Sequence, residues 1–277
     1  MARPLGSVAV LLALCAAVVV VDPGGGRAST ALAAETPAEE AQQVVAHYQA
    51  LRQNIDAWLA QGEPPVSPPP DQVMSEALFL QQEVRSLARR ARGDAERVIF
   101  AIGAAPAQPP GGPAQPVALA ADVRGLVAAA RKLRALSKGS RNRNLKTGEP
   151  PPLSELVSHY REAKRRLGIH PRFLAAIHHV ETKFGRVKSG SVAGARGPMQ
   201  FIPSTWRIYG RGGDIDDPDD AIIAAARLLR DRGAPRSYGR ALFAYNPSKL
   251  YVAAVSLYAK LIARNPHALY FLYCWSP

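Results

Sequence analysis

Apolar residues recur at three- and four-residue intervals along most of this chain, and prolines break it between those stretches. The pattern asks for helices packed on one another rather than for a sheet. From about Ala38 to Leu59 the stripe is Val44, Tyr48, Leu51, Ile55 and Leu59, and Gly62, Pro64-Pro65 and Pro68-Pro69-Pro70 end it. A second helix is expected from Asp71, read as its N-cap, through Val73, Ala77, Leu80, Val84 and Leu87 to Ile99, with Gly93 as a weak point. A third runs from Val117 to Leu136 and carries Leu119, Val123, Leu126, Val127, Ala130 and Leu133. Residues 104–116 are Ala, Pro, Gly and Gln, a linker with no means of burying a core. Residues 138–152 are basic and close on Pro150-Pro151-Pro152, a natural boundary.

The remainder is denser. One helix is expected from Leu153 to Leu167, ended by Gly168. Pro171 sits where helices accept proline, at the first position of the next, which carries Phe173, Leu174, Ile177, Val180 and Phe184 before Gly185. No segment alternates for long with period two. The expected class is mainly α, with a leader over 1–33, amphipathic helices and Pro-rich linkers over 34–152, and a helical domain over 153–277.

The leader rests on Arg3, an unbroken apolar run from Val8 to Val21, and the small-residue segment Ala31-Leu32-Ala33. That is the layout of a secretory signal peptide, and the run is shorter than the ~20 residues a membrane span prefers. A retained N-terminal anchor is the alternative. Later apolar runs are all broken by Arg, Lys or Pro. Cys15 lies inside the leader, which leaves Cys274 as one thiol with no intrachain partner, expected as a buried apolar residue. The net charge is +13, and residues 153–277 hold nineteen Lys/Arg against nine Asp/Glu. Such a balance favours an anionic partner: nucleic acid, a membrane surface or an acidic polymer. An export signal argues against nucleic acid, and no recognition motif is present. The acid-free run from Arg131 to Lys146 reads first as a solvated linker.

Glu181 stands near the end of its helix, four residues after Ile177 and on the same otherwise apolar face. A carboxyl stripped of water there has a raised pKa and can donate a proton near neutral pH. A salt bridge to Lys183 or Arg186 is the bland alternative. His178-His179 with Glu181 is not a zinc arrangement, because adjacent helical residues point to different faces. Asp214-Ile215-Asp216-Asp217-Pro218-Asp219-Asp220 lacks the glycine of a calcium loop. It reads as an N-cap at Asp217 followed by Pro218 at the first helical position. Cys274 has no context for a thiol nucleophile. No metal and no cofactor is expected.

Three blocks then occur in order: Glu181-Thr182-Lys183-Phe184-Gly185; Gly194-Ala195-Arg196-Gly197-Pro198-Met199-Gln200-Phe201-Ile202-Pro203-Ser204-Thr205; and Ala244-Tyr245-Asn246. Together they resemble the lytic transglycosylases with a goose-type-lysozyme-like, or SLT, catalytic domain, over about Leu153 to Ala263. The resemblance implies a helical lysozyme-like fold and cleavage of the MurNAc–GlcNAc bond of peptidoglycan with a 1,6-anhydro-MurNAc end. It implies Glu181 as the catalytic acid and base, and Ser191, Gln200, Tyr245 and Asn246 beside the substrate. Tyr245 and Trp206 offer flat faces that suit sugar rings. Met199 and Phe201 are expected in the core. The implied partner is the glycan strand, with anionic wall polymers as a further one and a membrane only if the leader is retained. The implied location is the cell envelope. A hydrolase using the same Glu, and a wall-binding protein without activity, are the competing readings. Departures from the family pattern are His178-His179 before the Glu, which bears on its pKa, and Pro247 after Asn246, which bears on one cleft wall.

Overall fold

Eleven helices run through the described residues of the computed structural model, which are 35–62, 65, 67–106, 116–137, 145–191 and 193–277. They are α1 (Pro37–Leu59), α2 (Asp71–Arg89), α3 (Arg92–Ala104), α4 (Pro116–Leu136), α5 (Leu153–Leu167), α6 (Pro171–Thr182), α7 (Pro203–Tyr209), α8 (Pro218–Asp231), α9 (Tyr238–Tyr245), α10 (Lys249–Arg264) and α11 (Ala268–Tyr273). Two isolated bridges, Thr147 with Val187 and Arg196 with Phe201, are the β-pairing seen among these residues. The mainly α class read from the stripes is the one observed. The expected leader, with Cys15, lies outside the described residues, as does most of the 104–116 linker. Residues 37–277 form one compact unit; of the other unit, 1–36, only the last two residues are described.

The helix ends follow the chemistry of their residues. Pro171 and Pro218 open α6 and α8, where a missing N–H costs nothing. Asp217 caps α8, its carboxylate accepting from the amides of Asp219 at 2.9 Å and Asp220 at 3.1 Å. Gly168 closes α5 at φ 69°, a left-handed position that suits glycine.

The expected long second helix is instead two. Arg90 and Ala91 are extended, and Gly93 lies inside α3 rather than at the break. The cause is tertiary. Arg131 of α4 donates to the carbonyls of Leu87 and Arg90, both at 3.1 Å, and so satisfies the open end of α2. Arg90 in turn pairs with Glu40 of α1 at 2.6 Å. The corner turns Ala95, Val98, Ile99 and Ile102 into the core. Asp71 is the first helical residue of α2, and Pro70 occupies the cap position without a side-chain bond.

α10 is the central element. It packs against α4 on one side and α6 on another, and α11 lies against α1, α2 and α6. The N-terminal helices therefore share a core with the helices that follow residue 153. Buried side chains from both halves meet there, among them Trp58, Leu119, Leu126, Tyr251 and Phe271. Each buried large apolar side chain stabilises by about 1.5–3 kcal/mol. Polar pairs fix the register. Asp122 of α4 accepts from Arg264 Nε at 2.6 Å and from Asn265 Nδ2 at 2.7 Å. Gln81 of α2 donates to the carbonyl of Ser276 at 2.7 Å. Cys274 is a buried free thiol. No helix of the described residues is long and apolar enough to cross a membrane.

Candidate active site

The C-terminus of α6 carries the carboxyl that matters most. His178 and His179 just before Glu181 are fully buried. His178 is tied to Tyr160 at 2.8 Å, while His179 lies among Phe184, Tyr258 and Trp275. Burial drives both imidazoles well below their usual pKa, His178 to about 3. At neutral pH they are uncharged fillers, and they place no positive charge beside Glu181.

After Thr182 the chain leaves the helix by an uncommon route. Lys183, Phe184 and Gly185 are all left-handed, at φ 54°, 60° and 85°. Two consecutive non-glycine residues in this region store strain, which must be held by the surroundings. Thr182 supplies much of that hold. Its hydroxyl donates to the Pro198 carbonyl at 2.6 Å and accepts from the Gly185 amide at 2.9 Å. One side chain thus joins the end of α6 to the 197–200 turn.

That turn is built to pass close to its neighbours. Gly197 has φ 73°, and a Cβ there would sit 1.9 Å from the Ile215 carbonyl oxygen, so only glycine fits. The Gln200 amide bonds back to Gly197, and Arg196 and Phe201 exchange backbone bonds at 2.9 Å. Gln200 is left-handed at φ 49°, with its side-chain amide donating to the Gly197 carbonyl at 3.0 Å. Ser191 Oγ accepts from the Ala195 amide at 3.1 Å and holds the loop ahead of the turn.

Glu181, Ser191, Gln200, Tyr245 and Asn246 come together around one cavity of about 250 Å³. Pro247 lines it too, so this departure from the family pattern does form part of a wall. Phe201 lines it by an edge while remaining buried. Met199 is wholly in the core. Trp206 is elsewhere: its ring packs against Phe201 at 5.4 Å and lies over Gly210, where a Cβ would be 2.4 Å from the indole. One indole face is thus covered by Gly210, and the side chain as a whole is half-buried.

Glu181 is the one carboxyl among the residues that line the cavity. Burial raises its pKa from 4.5 to about 7, against the opposing effects of a hydrogen bond from Tyr251 and the charge of Lys183. Tyr251 donates to Glu181 Oε1 at 2.7 Å. The ring of Tyr251 is parallel to that of Tyr245, 6.3 Å away. Tyr245 in turn donates to the Met199 carbonyl at 2.6 Å and pins the Gln200 turn. The arrangement is a carboxyl whose pKa burial raises towards neutrality, oriented by one phenol, in a cleft with polar edges. It can give a proton and take one back at the same oxygen pair.

Residues 158–260 match the family model described as Transglycosylase SLT domain. The chain carries an SLT domain. No curated protein and no solved structure matches. Every residue lining the cleft, from Glu181 to Pro247, falls inside the SLT span. The span opens within α5 and closes within α10, so α10 belongs both to the SLT domain and to the face that receives α4.

Sequence reasoning missed Tyr251 and Thr182. Tyr251 had a readable signal. Ser248 caps α10 by accepting from the Tyr251 amide, and Tyr251 lies on the apolar stripe with Val255 and Tyr258. A tyrosine on a buried face needs a partner for its hydroxyl. Thr182 stood out only as a member of the Glu181–Gly185 block; its role did not, because one of its two bonds depends on where residue 198 falls.

Proposed function

We propose that this protein is a peptidoglycan lytic transglycosylase that cleaves the β-1,4 bond between MurNAc and GlcNAc. The observation that carries the reading is the solitary acid. A cleft with one carboxyl of raised pKa suits a reaction in which the same group serves as acid and then base. The usual glycosidase plan needs two carboxyl groups across the bond. Glu181 protonates the bridging oxygen, the bond from that oxygen to MurNAc C1 breaks, and GlcNAc leaves with a free 4-hydroxyl. The Glu181 carboxylate then removes the proton of the C6 hydroxyl as O6 closes on C1. The product is a 1,6-anhydro end, and no water is consumed.

In this reading Tyr251 holds Glu181 in position, and Gln200, Ser191, Tyr245 and Asn246 line the path of the strand. Residues 153–277 form the catalytic part and 34–152 the helical buttress behind it. The substrate places the protein outside the cytoplasm, with residues 1–33 as its export leader, and the basic surface meets the anionic wall. The reading predicts that Glu181→Gln lowers muropeptide release from purified peptidoglycan by at least about 10³-fold while the variant still folds and binds the wall. Comparable release by wild type and variant contradicts it.

A further inference from the structure

A second cavity, of about 340 Å³, shares no lining residue with the cleft. Its walls come from α2, α4, the residue after Thr182, α10 and the C-terminal tail. Four cations line it, Arg85, Arg89, Arg134 and Lys183, and none of its lining residues is acidic. The remaining surface is largely apolar, with Leu133, Tyr258 and Trp275 as its large members.

Four like charges around one cavity call for an explanation. Arg89 and Arg134 are exposed and tolerate it in water. Arg85 and Lys183 are half-buried, where positive charge is costly, and the charge of Glu181 offsets only part of that cost for Lys183. Burial, and then the neighbouring Arg89, lower the pKa of Arg85. Burial, and then Arg85, bring Lys183 down to about 8. Both are nevertheless held in place. Arg85 donates to the Ser276 carbonyl at 3.1 Å, and Lys183 Nζ to the His179 carbonyl at 3.0 Å, which leaves each with further donors. Trp275 lines the cavity with its ring, while its indole N–H is shut off from solvent-sized space and is not offered to a ligand there. The cavity thus offers donors and positive charge beside an apolar surface, and what it lacks is an acceptor of negative charge.

We infer that this cavity binds an organic phosphate, a phosphate monoester joined to a short apolar group. A monoester carries about two negative charges at neutral pH and three strong acceptor oxygens, against about one charge for a carboxylate. Guanidinium groups match that geometry with paired bonds. The apolar group lies along Leu133, Tyr258 and Trp275. The site uses no residue of the cleft and does not rest on the proposed reaction.

The test uses protein spanning residues 34–277, which holds the whole compact unit, titrated with n-hexyl phosphate by calorimetry and tryptophan fluorescence. Saturable one-to-one binding is expected, about tenfold or more tighter than for inorganic phosphate because of the buried chain. Hexanoate binds more weakly than hexyl phosphate. The double variant Arg89→Gln/Arg134→Gln weakens hexyl phosphate at least about tenfold with an unchanged melting temperature, since both side chains are exposed. Vesicles of phosphatidylcholine with phosphatidic acid compete with hexyl phosphate if the natural phosphate sits on a lipid, and leave its binding unchanged if it is free in solution. No saturable binding, or equal binding by the double variant, overturns the assignment.

Discussion

At the scale of single residues, Glu181 is a compromise between burial and use. Its pKa near 7 means that the folded protein disfavours the carboxylate. The sign follows from linkage: below the unfolded value of about 4.5 both states are protonated and nothing is lost. As pH rises from there to about 7, the folded state is progressively destabilised relative to the unfolded one. Glu181→Gln keeps an acceptor for Tyr251 and removes the titration. Its melting temperature is therefore expected to match wild type near pH 4 and to exceed it at pH 8, where the gain is at most about 3 kcal/mol. A thermal scan at the two pH values checks this. Tyr251→Phe removes the hydrogen bond that favours the carboxylate. The alkaline limb of the kcat/KM profile, near pH 7 in wild type, should move up by roughly one to two units, with kcat reduced. A purely structural Tyr251 would lower activity without moving the limb. The acid itself was legible, because a Glu on an apolar helical face announces a raised pKa. Its phenol partner was not, since Glu181 and Tyr251 are seventy residues apart and only the packing of α10 on α6 joins them.

At the scale of elements, α10 receives α4 on one side and carries Tyr251 towards α6 on the other. Asp122 links α4 to Arg264 and Asn265 at the far end of α10. Asp122→Ala is expected to destabilise by about 2 kcal/mol, since it removes two hydrogen bonds to a charged acceptor while Arg264 keeps partial access to water. Denaturant unfolding measures it. Removal of residues 1–144 is expected to do more. It uncovers the α10 face against α4, so the shortened chain should aggregate or unfold well below the full one. A trimmed chain as stable as the whole would show that the SLT domain folds without its buttress. Helix stripes such as Val44, Tyr48, Leu51 and Ile55 were legible because a buried helix face repeats every three or four residues. The break at Arg90-Ala91 was not, because neither residue is a breaker and the corner is made by Arg131 from another helix. The capping of α8 by Asp217 was legible because it is local, and the destination of Trp206 was not because it depends on Gly210 lying beneath the ring.

At the scale of the molecule, the N-terminal helices pack against the SLT domain through α10, and the net charge of +13 is concentrated in residues 153–277. Contact with an anionic wall through exposed Arg and Lys should weaken as salt screens it. Binding to purified walls is thus expected to fall between 50 and 300 mM NaCl for wild type and Glu181→Gln alike, as a pull-down would show. The proposed reaction is decided at MurNAc C1. The most direct measurement is a mass spectrum of muropeptides released from purified peptidoglycan in water enriched in ¹⁸O. Anhydro-MurNAc ends that carry no ¹⁸O, and that are absent with Glu181→Gln, are expected. Reducing MurNAc ends labelled with ¹⁸O would mean that water, not the C6 hydroxyl, attacks C1, and the claim would be wrong.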